Sequence, residues 1–280
     1  MEGIDVVIPT GKNIEESHYS ICYTIRSIIS QKLQPNKILV VVNAPDTGVE
    51  KVLDEQFGKL VRVIDGFDKG PNISYARNTG AQNGCSDIIL FMDDDVILGY
   101  HDYFTRIQEI LKYNDFCCGA IRYWTSSDWY KYLSLDYSMN HNLQILRVKS
   151  YLPLSIDRNT GNRKMSEYTY IGNLGAIKRD VFEKIGRFDE VYEGWQYQDT
   201  DLMMRLCYNS FSYEVLSYSN MFCFHLGHAA DKSLYQANNR ERYMNKQAEL
   251  GIQFCLSNFF GRFDDNEATF DVVIKTTISD

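Results

Sequence analysis

The sequence lacks the features that mark several large classes of protein. Positive charge is not in excess, since 29 lysines and arginines stand against 37 aspartates and glutamates and give a net charge of −8. This balance excludes the strongly basic surface that binds nucleic acid. No apolar run approaches the length of about 20 residues that a membrane-spanning helix needs. Internal repeats and low-complexity segments are also absent, and the composition is that of a globular protein.

The 7 cysteines show no pairing pattern. Their number is odd, none forms a C-x-x-C pair, and several lie in apolar runs, so we expect reduced, mostly buried thiols. The apolar residues 4–8 are too few for the core of a signal peptide and are followed at once by Pro9. We therefore expect a cytoplasmic location. The cysteines are Cys22, Cys85, Cys117, Cys118, Cys207, Cys223 and Cys255.

Strand and helix patterns alternate through the first hundred residues. Short apolar runs predict buried strands, and apolar residues at helical spacing predict the helices between them. Ser74 is the predicted N-cap of the third helix. Such alternation implies parallel strands with right-handed crossovers, in a doubly wound α/β sheet. The predicted strands cover residues 5–8, 37–42, 61–64 and 88–92, and the predicted helices cover residues near 17–31, 52–60 and 74–83.

The later part of the chain is less regular. Residues 122–168 are rich in Tyr, Trp, Ser and Asn, with turn residues near 157–161, and they predict a partly irregular insertion. The other predicted elements are helices near 104–111 and 180–185, after Asp199 and at 232–250, and strands at 116–121, 170–177 and, as an edge strand, 270–274.

The most informative stretch joins a buried strand to three consecutive acids. The five apolar residues 88–92 lead directly into Asp93, Asp94 and Asp95. Open α/β sheets place ligand sites at the carboxyl ends of their strands, and Mg²⁺ is usually held by one or two carboxylates together with substrate phosphates. The stretch therefore predicts a platform for a metal ion and a diphosphate. The alternative is an acidic turn that caps the next helix.

Other polar residues follow the neighbouring predicted strands. Pro9 and Thr10 end the first strand, Asn43 ends the second and Asp65 ends the third. Strand ends that share an edge of the sheet can meet one ligand, although each residue alone is typical of a turn or cap. Arg77 lies early in the next helix, whose amino end favours anions. A surface salt bridge is the alternative for Arg77.

A second acid pattern surrounds Asp199, in residues 193–202. Asp199 falls at a predicted helix start, where capping is the simple explanation. The functional explanation makes it a general base, because an apolar, aromatic setting raises the proton affinity of a carboxylate. Trp195 offers a flat apolar face to a sugar ring, or serves as an ordinary core or rim aromatic.

Two histidines, His225 and His228, follow an apolar strand at a spacing of three. A lone histidine is usually structural, whereas a pair placed after both acid patterns favours one metal ligand. A structural zinc site is not expected, because no second cysteine–histidine pair has the required spacing.

Taken together, these residues resemble the family 2 glycosyltransferases with a GT-A fold, from Val6 to about His228. Four motifs of the family appear in this chain. The IPTYN opening is at residues 8–13, and the G-x-S-x-A-R-N-x-G motif, with one extra residue, is at 70–80. The FLDxDD motif is at 91–95, and the glycine–aromatic–acid segment is at 194–199. The resemblance implies a metal-dependent, inverting hexosyltransferase of the bacterial polysaccharide type, whose fold is a mixed, mostly parallel sheet flanked by helices with a C-terminal helical extension.

The resemblance also implies substrates and roles. The donor is expected to be a nucleotide-sugar, a UDP-sugar, bound with Mn²⁺ or Mg²⁺. The acceptor is expected to be a saccharide or a lipid-linked oligosaccharide at the inner face of the membrane. Asp199 would be the catalytic base. The expected metal ligands are Asp93, Asp95 and one histidine, His228 in preference to His225; the expected donor contacts are Pro9, Thr10, Asn43, Asp65, Arg77, Asp93 and Asp94; and the expected acceptor contacts are Gly194, Trp195 and Gln198.

Two departures from the family pattern bear on these roles. The family usually has VDDGS after the second strand, whereas this chain has Val42 followed by Asn43, so an amide replaces the acid that would face the nucleotide base. Gln198 replaces the usual Glu before Asp199, which keeps the base and changes its neighbour.

The resemblance divides the chain into a GT-A domain at 1–230, with a nucleotide-binding half at 1–98 and an acceptor-binding half at 99–230, and the extension at 231–280. Residues 252–260 are apolar enough to touch a membrane or a second subunit, although packing against the protein explains them as well. Three other functions stay open: a nucleotidyltransferase, which would need a Gly-rich basic loop after the first strand, a metal-dependent phosphohydrolase, and a non-catalytic nucleotide-sugar-binding or scaffold protein.

Overall fold

A computed structural model describes most of the chain. The described residues are 3–67, 70–125, 133–134, 143–156, 163–165, 171–194, 196–216, 219–227, 237–250 and 262–275. In chain order the strands are β1 (Ile4–Thr10), β2 (Lys37–Val42), β3 (Val61–Asp65), β4 (Ile88–Met92), β5 (Val96–Leu98), β6 (Phe116–Cys118), β7 (Ile121–Thr125), β8 (Leu133–Ser134), β9 (Leu143–Ile156), β10 (Arg163–Met165), β11 (Leu174–Lys178), β12 (Tyr213–Val215), β13 (Phe222–His225) and β14 (Arg262–Lys275). The helices are α1 (Ser20–Ile29), α2 (Val49–Phe57), α3 (Ile73–Asn83), α4 (Tyr103–Leu111), α5 (Arg179–Lys184), α6 (Gln198–Tyr208) and α7 (Ala237–Glu249).

The main sheet of the described residues has the strand order β12-β6-β11-β4-β1-β2-β3. Strand β1 runs parallel to both of its neighbours, β2 and β4, and β2 runs parallel to β3. Strand β11 is antiparallel to β4 on one side and to β6 on the other. The predicted mixed, mostly parallel α/β sheet is therefore confirmed.

Side chains of the parallel strands alternate between two cores, one on each face of the sheet. Val6 and Ile8 of β1 belong to the core that also contains Ile25 of α1. Val7, between them, belongs to the core that contains Phe182 of α5. Because both faces of the sheet are covered, the central strands are apolar at most positions, which explains their apolar runs.

The second sheet has the strand order β10-β9-β7-β13-β5, and β8 and β14 also pair with β9. Residues 122–168, predicted to be partly irregular, thus contain the 14-residue strand β9 among their described residues. The strand predicted at 270–274 lies within β14, and the segment 231–280 contains α7 and β14. The division of the chain into two halves and an extension stays a prediction.

Helix α3 starts earlier than the sequence indicated. The side chain of Asn72 caps it by accepting a hydrogen bond of 2.9 Å from the backbone N–H of Tyr75. The predicted cap at Ser74 is wrong, since Ser74 is buried inside the first turn. An asparagine with extended backbone is a strong helix cap, and it fixes the turn that leads to Arg77.

Among the described helices, none is both long enough and apolar enough to cross a membrane. The described cysteines are free: Cys22, Cys117, Cys118 and Cys223 are buried, Cys207 is half-buried and Cys85 is exposed. Burial raises the pKa of Cys22 to about 11 and that of Cys117 to about 12, so these thiols stay protonated at neutral pH. Cys255 and residues 252–260 lie outside the described part of the chain.

Candidate active site at the carboxyl edge of the sheet

The ends of the first three strands meet at one edge of the sheet, as the sequence predicted. Thr10 is paired with Val42, and Val42 is paired with Asp65, so these residues lie side by side. Asn43 follows Val42, and its backbone N–H donates to the carbonyl of Thr10 at 2.9 Å. Pro9 is buried within β1, one residue before Thr10, and not in a turn after the strand.

These edge residues differ in exposure. The side chains of Thr10 and Asn43 are buried, whereas Asp65 is exposed and accepts a hydrogen bond from the backbone N–H of Phe67 at 3.0 Å. Gly11 lies against Asn43 so closely that a Cβ at position 11 would collide with the Asn43 side-chain oxygen. The edge therefore combines the exposed carboxylate of Asp65 with a tightly packed floor, formed by Pro9, Thr10 and Asn43 at the ends of β1 and β2.

Each acid of the predicted platform has a partner within the chain. Asp93 accepts a hydrogen bond of 3.3 Å from Nη2 of Arg77. Asp94 accepts one of 2.6 Å from the hydroxyl of Thr10 and one of 3.2 Å from the ammonium of Lys12. Asp95 accepts one of 2.6 Å from the same ammonium. The three carboxylates therefore do not cap the next helix.

Lys12 is the part of this platform that the sequence did not reveal. Burial alone would lower the Lys12 pKa, but the carboxylates of Asp94 and Asp95 outweigh it and hold that pKa above its ordinary value. Lys12 and its partners are 82 and 83 residues apart in the chain, and a single lysine in a loop carries no pattern that points to them.

His225 lies beside the same acid cluster. Strand β13 pairs antiparallel with β5, which sets His225 opposite Val96, the residue after Asp95. Its Nε2 is 3.3 Å from an oxygen of Asp95, and both side chains are buried. Of the two histidines singled out in the sequence, His225 is the one brought to the cluster by the described structure. His228 lies outside the described residues.

Arg77 joins the two acid patterns. Its guanidinium, 1% exposed, donates from Nη1 to both oxygens of Asp199, at 3.1 and 3.3 Å, and from Nη2 to Asp93. It also lies over the ring of Phe188, 5.1 Å from the ring centre. The alternative of a surface salt bridge is therefore excluded for Arg77, which forms a buried bridge between Asp93 and Asp199.

Asp199 is oriented by a second contact. The backbone N–H of Gly172 donates to Asp199 Oδ1 at 3.0 Å, and a Cβ at position 172 would collide with both Asp199 and Arg77. Sequence analysis missed Gly172, because its burial and its close approach to Asp199 are visible only in the structure.

Helix capping does not account for Asp199. Helix α6 begins at Gln198, and the cap residue Tyr197 makes no side-chain cap bond. The oxygens of Asp199 are instead directed to Arg77 and Gly172. The expected apolar setting is also wrong in one respect, because a buried guanidinium faces this carboxylate.

The predicted acceptor segment is held against the loop before α3. Gly194 forms a β-bridge with Asn72, and its N–H donates to the carbonyl of Pro71 at 3.1 Å. Gln198 is 5% exposed, and its side-chain oxygen has no hydrogen-bond partner among the described residues. Trp195 lies outside the described part of the chain.

The backbone just before Asp199 is strained. Gln196 and Tyr197 have φ angles of 89° and 70°, in the left-handed region that residues other than glycine rarely occupy. Asn239 of α7 donates to the carbonyl of Glu193 at 2.7 Å and to that of Gln196 at 3.3 Å. Such strain persists where the surrounding structure holds it, typically at functional sites.

The acid cluster suits a divalent cation by the chemistry of its donors. Among the described residues, no group of three or more His, Cys, Asp or Glu side chains is arranged to hold a metal ion. However, Asp94 and Asp95 already hold a cation, the Lys12 ammonium, through carboxylate oxygens. Mg²⁺ takes few protein ligands and completes its shell with water and substrate phosphates, so two carboxylates of this kind fit it.

A surface cleft of about 480 Å³ lies apart from this chemistry. It is lined by residues of α3, α6, α7 and the segment 185–190, with Asn78, Arg205 and Lys246 among them. No residue of the acid cluster lines the cleft, and neither does Asp199. We therefore place the candidate site at the acid cluster.

Two family models match the chain. The model of glycosyl transferase family 2 matches residues 5–186, and a model described as the N-terminal domain of galactosyltransferase matches residues 153–229. A curated relative, the glucosyl-dolichyl phosphate glucuronosyltransferase of Haloferax volcanii, is 25% identical over 177 residues, which cover 62% of this chain and 52% of the relative. The chain thus spans about half the length of that relative.

A solved structure shows the same fold. The structure of residues 1–349 of S. aureus TarS, in complex with UDP-GlcNAc, superposes with a TM-score of 0.59 at 14% identity. The match covers 89% of this chain and 65% of the TarS chain. At this identity the likeness concerns the fold alone, and it confirms the predicted GT-A architecture.

Proposed function

The chain belongs to glycosyl transferase family 2, and on that premise we propose that it transfers a sugar from a nucleotide-sugar donor to a hydroxyl group of an acceptor. The observation that carries this proposal is the buried bridge from Asp93 through Arg77 to Asp199. It unites the acid of the donor motif with the acid of the acceptor motif at one edge of the sheet, which is where open α/β sheets bind ligands.

We assign the donor to the ends of the first strands. The packed floor of Pro9, Thr10 and Asn43, with the open carboxylate of Asp65 at its side, would take the nucleoside, and Asp93 and Asp94 would face the ribose and the diphosphate. A UDP-sugar is the donor we propose. The structure of TarS contains UDP-GlcNAc, and the fold of TarS is similar.

A divalent cation, Mn²⁺ or Mg²⁺, would be held by Asp95, with Asp93 and either His225 or His228 as further ligands. When bound, such an ion neutralises the charge that develops on a diphosphate leaving group. The position of His225 beside Asp95 supports it as a candidate ligand.

Asp199 would act as the catalytic base of an inverting transfer. It would accept the proton of the acceptor hydroxyl while that oxygen attacks the anomeric carbon from the face opposite the diphosphate. Arg77 and the N–H of Gly172 fix the direction of this carboxylate. Its fixed position would hold the base in line with the reactants.

The acceptor would lie against Gly194, Trp195 and Gln198. The buried Gln198 oxygen, which has no partner among the described residues, is an acceptor of hydrogen bonds that a sugar hydroxyl would satisfy. We propose a saccharide or lipid-linked oligosaccharide as the acceptor, used at the cytoplasmic face of a membrane. The Haloferax relative is named for a dolichyl phosphate substrate, which agrees with a lipid-linked acceptor.

The test is a thermal-shift panel of nucleoside diphosphates and of UDP-, GDP- and dTDP-sugars, each with Mn²⁺ and with EDTA. A ligand that binds only the native state raises the melting temperature. We expect one nucleotide class, the uridine one, to do so in the presence of Mn²⁺. No shift with any nucleotide, for folded protein, would contradict the proposal. Donor binding without any release of nucleoside diphosphate would favour the alternative, a non-catalytic nucleotide-sugar-binding or scaffold protein.

A further inference from the structure

Lys12 occupies the position in the acid cluster that a cation would take. Its ammonium is 3.2 Å from Asp94 and 2.6 Å from Asp95. The two carboxylates are 9% and 4% exposed, so the lysine enters an almost fully buried acid pair. The ammonium is therefore a counter-charge of Asp94 and Asp95 in this structure.

The other charges near the pair are already engaged. Arg77 is directed to Asp93 and Asp199, and His225 lies on the other oxygen of Asp95, at 3.3 Å. Lys12 supplies a full positive charge directed at both Asp94 and Asp95.

A lysine ammonium and a divalent ion compete for the same carboxylate oxygens. Mg²⁺ binds oxygen at about 2.0–2.1 Å, and an ammonium 2.6 Å from Asp95 lies in the space such an ion would fill. Two cations held this close would also repel each other strongly, because the buried pair is poorly screened. Binding of the metal therefore requires Lys12 to move away.

We propose that Lys12 is a built-in competitor of the divalent cation at Asp95, displaced whenever the metal binds. Lys12 lies in the loop between β1 and α1, not within either element, so its side chain can turn away without disturbing the sheet. If the donor assignment made above holds, the displaced ammonium meets the incoming diphosphate, and the metal and the nucleotide then strengthen each other's binding. The competition itself does not rest on that assignment.

The test measures Mn²⁺ binding by electron paramagnetic resonance, with no nucleotide or acceptor present. The variants are Lys12→Met, which removes the charge, Lys12→Arg, which keeps it, and Lys51→Met, which removes an exposed lysine elsewhere. We expect Lys12→Met to bind Mn²⁺ about tenfold more tightly or better, because it loses a repelling charge a few ångströms away. Lys12→Arg and Lys51→Met should bind as the wild type does. Equal or weaker affinity in Lys12→Met would overturn the proposal.

A measurement on the wild-type protein covers the case in which Lys12→Met does not fold. Acetylation of individual lysines is followed by mass spectrometry with and without saturating Mg²⁺. We expect Mg²⁺ to raise the labelling rate of Lys12 several-fold while that of Lys51 stays constant. An unchanged Lys12 rate would overturn the proposal. Since neither assay contains donor or acceptor, their outcome is independent of the nucleotide panel described above.

Discussion

A single guanidinium, that of Arg77, contacts the acids of both sequence motifs. Asp93 and Asp199 are 106 residues apart in the chain, and each is held by a different nitrogen of the same fork. Arginine suits this role because its planar fork can reach two carboxylates at once, whereas a lysine is a single point charge. The geometry of the proposed base therefore depends on a residue that does not itself react.

The first prediction concerns the fork of Arg77. Arg77→Lys should keep a buried positive charge and the fold but lose most of the turnover, because one ammonium cannot hold Asp93 and Asp199 together. Arg77→Met should lower the free energy of unfolding by about 3–5 kcal/mol, the usual cost of leaving buried charges without their partner. Denaturant unfolding and the release of nucleoside diphosphate measure the two effects. Wild-type turnover in Arg77→Lys would contradict this role.

The second prediction concerns Gly172. Gly172→Ala forces a Cβ into the space of Asp199 and Arg77, so we expect their ion pair to separate. Overpacking of this kind costs about 1–3 kcal/mol of stability. Most of the protein should therefore stay folded at the assay temperature, whereas its turnover should fall strongly because Asp199 is displaced. Kinetics together with a thermal melt would show the two effects side by side. Turnover that falls only as far as stability does would argue against a positioning role.

Sequence reasoning found the acids of the site but not what holds them. Asp93, Asp95 and Asp199 stand out because acids at the end of a strand or at the start of a helix form a local pattern. Lys12 and Gly172 show no such pattern, since their partners become neighbours only when the sheet assembles. The site residues could therefore be predicted as candidates, whereas their pairing could not.

At the scale of elements, helix α7 supports the segment that leads to Asp199. Lys246 of α7 lies 2.8 Å from Asp201 and 2.9 Å from Asp189, which stand on either side of that segment. Asn239 of the same helix binds the carbonyls of Glu193 and Gln196. We infer that α7 helps to hold the strained backbone before α6 in place.

The third prediction concerns this contact and its dependence on pH. Burial tends to raise the pKa of Asp189, but the hydrogen bonds from Lys246 and from the Val191 N–H, together with the charges of Lys246 and Arg205, outweigh it and keep that pKa below its ordinary value of 3.8. The stabilisation is therefore complete above that value and is lost as the pH falls through the lowered one. Lys246→Met should be less stable than the wild type by roughly 1–3 kcal/mol at pH 7, and the difference should shrink in acid.

Urea unfolding at pH 7 and near pH 3 tests this prediction, with Lys51→Met as the control. Lys51 is 83% exposed and forms only a 4.0 Å surface pair with Glu55, so its removal should change little at either pH. A difference between Lys246→Met and the wild type that is the same at both pH values would rule out the Asp189 contact as its cause.

The elements themselves were predictable where their patterns were strong. The buried strands β1, β2 and β4 and the helix α1 follow from apolar runs and helical spacing. Strand β9 was missed because residues 122–168 mix aromatic and polar residues, and its pairing with β14 joins segments that are distant in sequence. Long-range pairing decides such strands, and one sequence does not contain it.

At the scale of the whole molecule, the two predicted halves share one sheet. Strand β11, from the later half, pairs with β4 of the earlier one. Just after β11, Arg179 donates to the carboxylate of Asp5 at 3.0 Å and to the carbonyls of Ser86 and Ala81 at 2.6 Å. Asp5 is fully buried at the start of β1, so this contact ties the later half to the first strand.

The fourth prediction follows from this shared sheet. The main sheet and the helices that flank it should unfold in one transition, seen alike by far-ultraviolet circular dichroism and by hydrogen exchange of the backbone amides of β1, β4 and β11. Arg179→Met should lower the free energy of unfolding by about 3–5 kcal/mol because it leaves a buried carboxylate without its cation. Two separate transitions in the wild type would contradict the shared sheet as a single cooperative unit.

The most direct test of the account as a whole is a comparison of Asp199→Asn with the wild type. Asparagine keeps the size of the side chain and an oxygen for the Gly172 N–H, but it cannot accept a proton. We measure the affinity for the uridine nucleotide-sugar and the release of nucleoside diphosphate over a panel of saccharide acceptors. The account predicts retained donor binding and turnover reduced by about 10²–10⁴-fold. Full turnover in Asp199→Asn would remove this residue from the role of base and contradict the proposed mechanism.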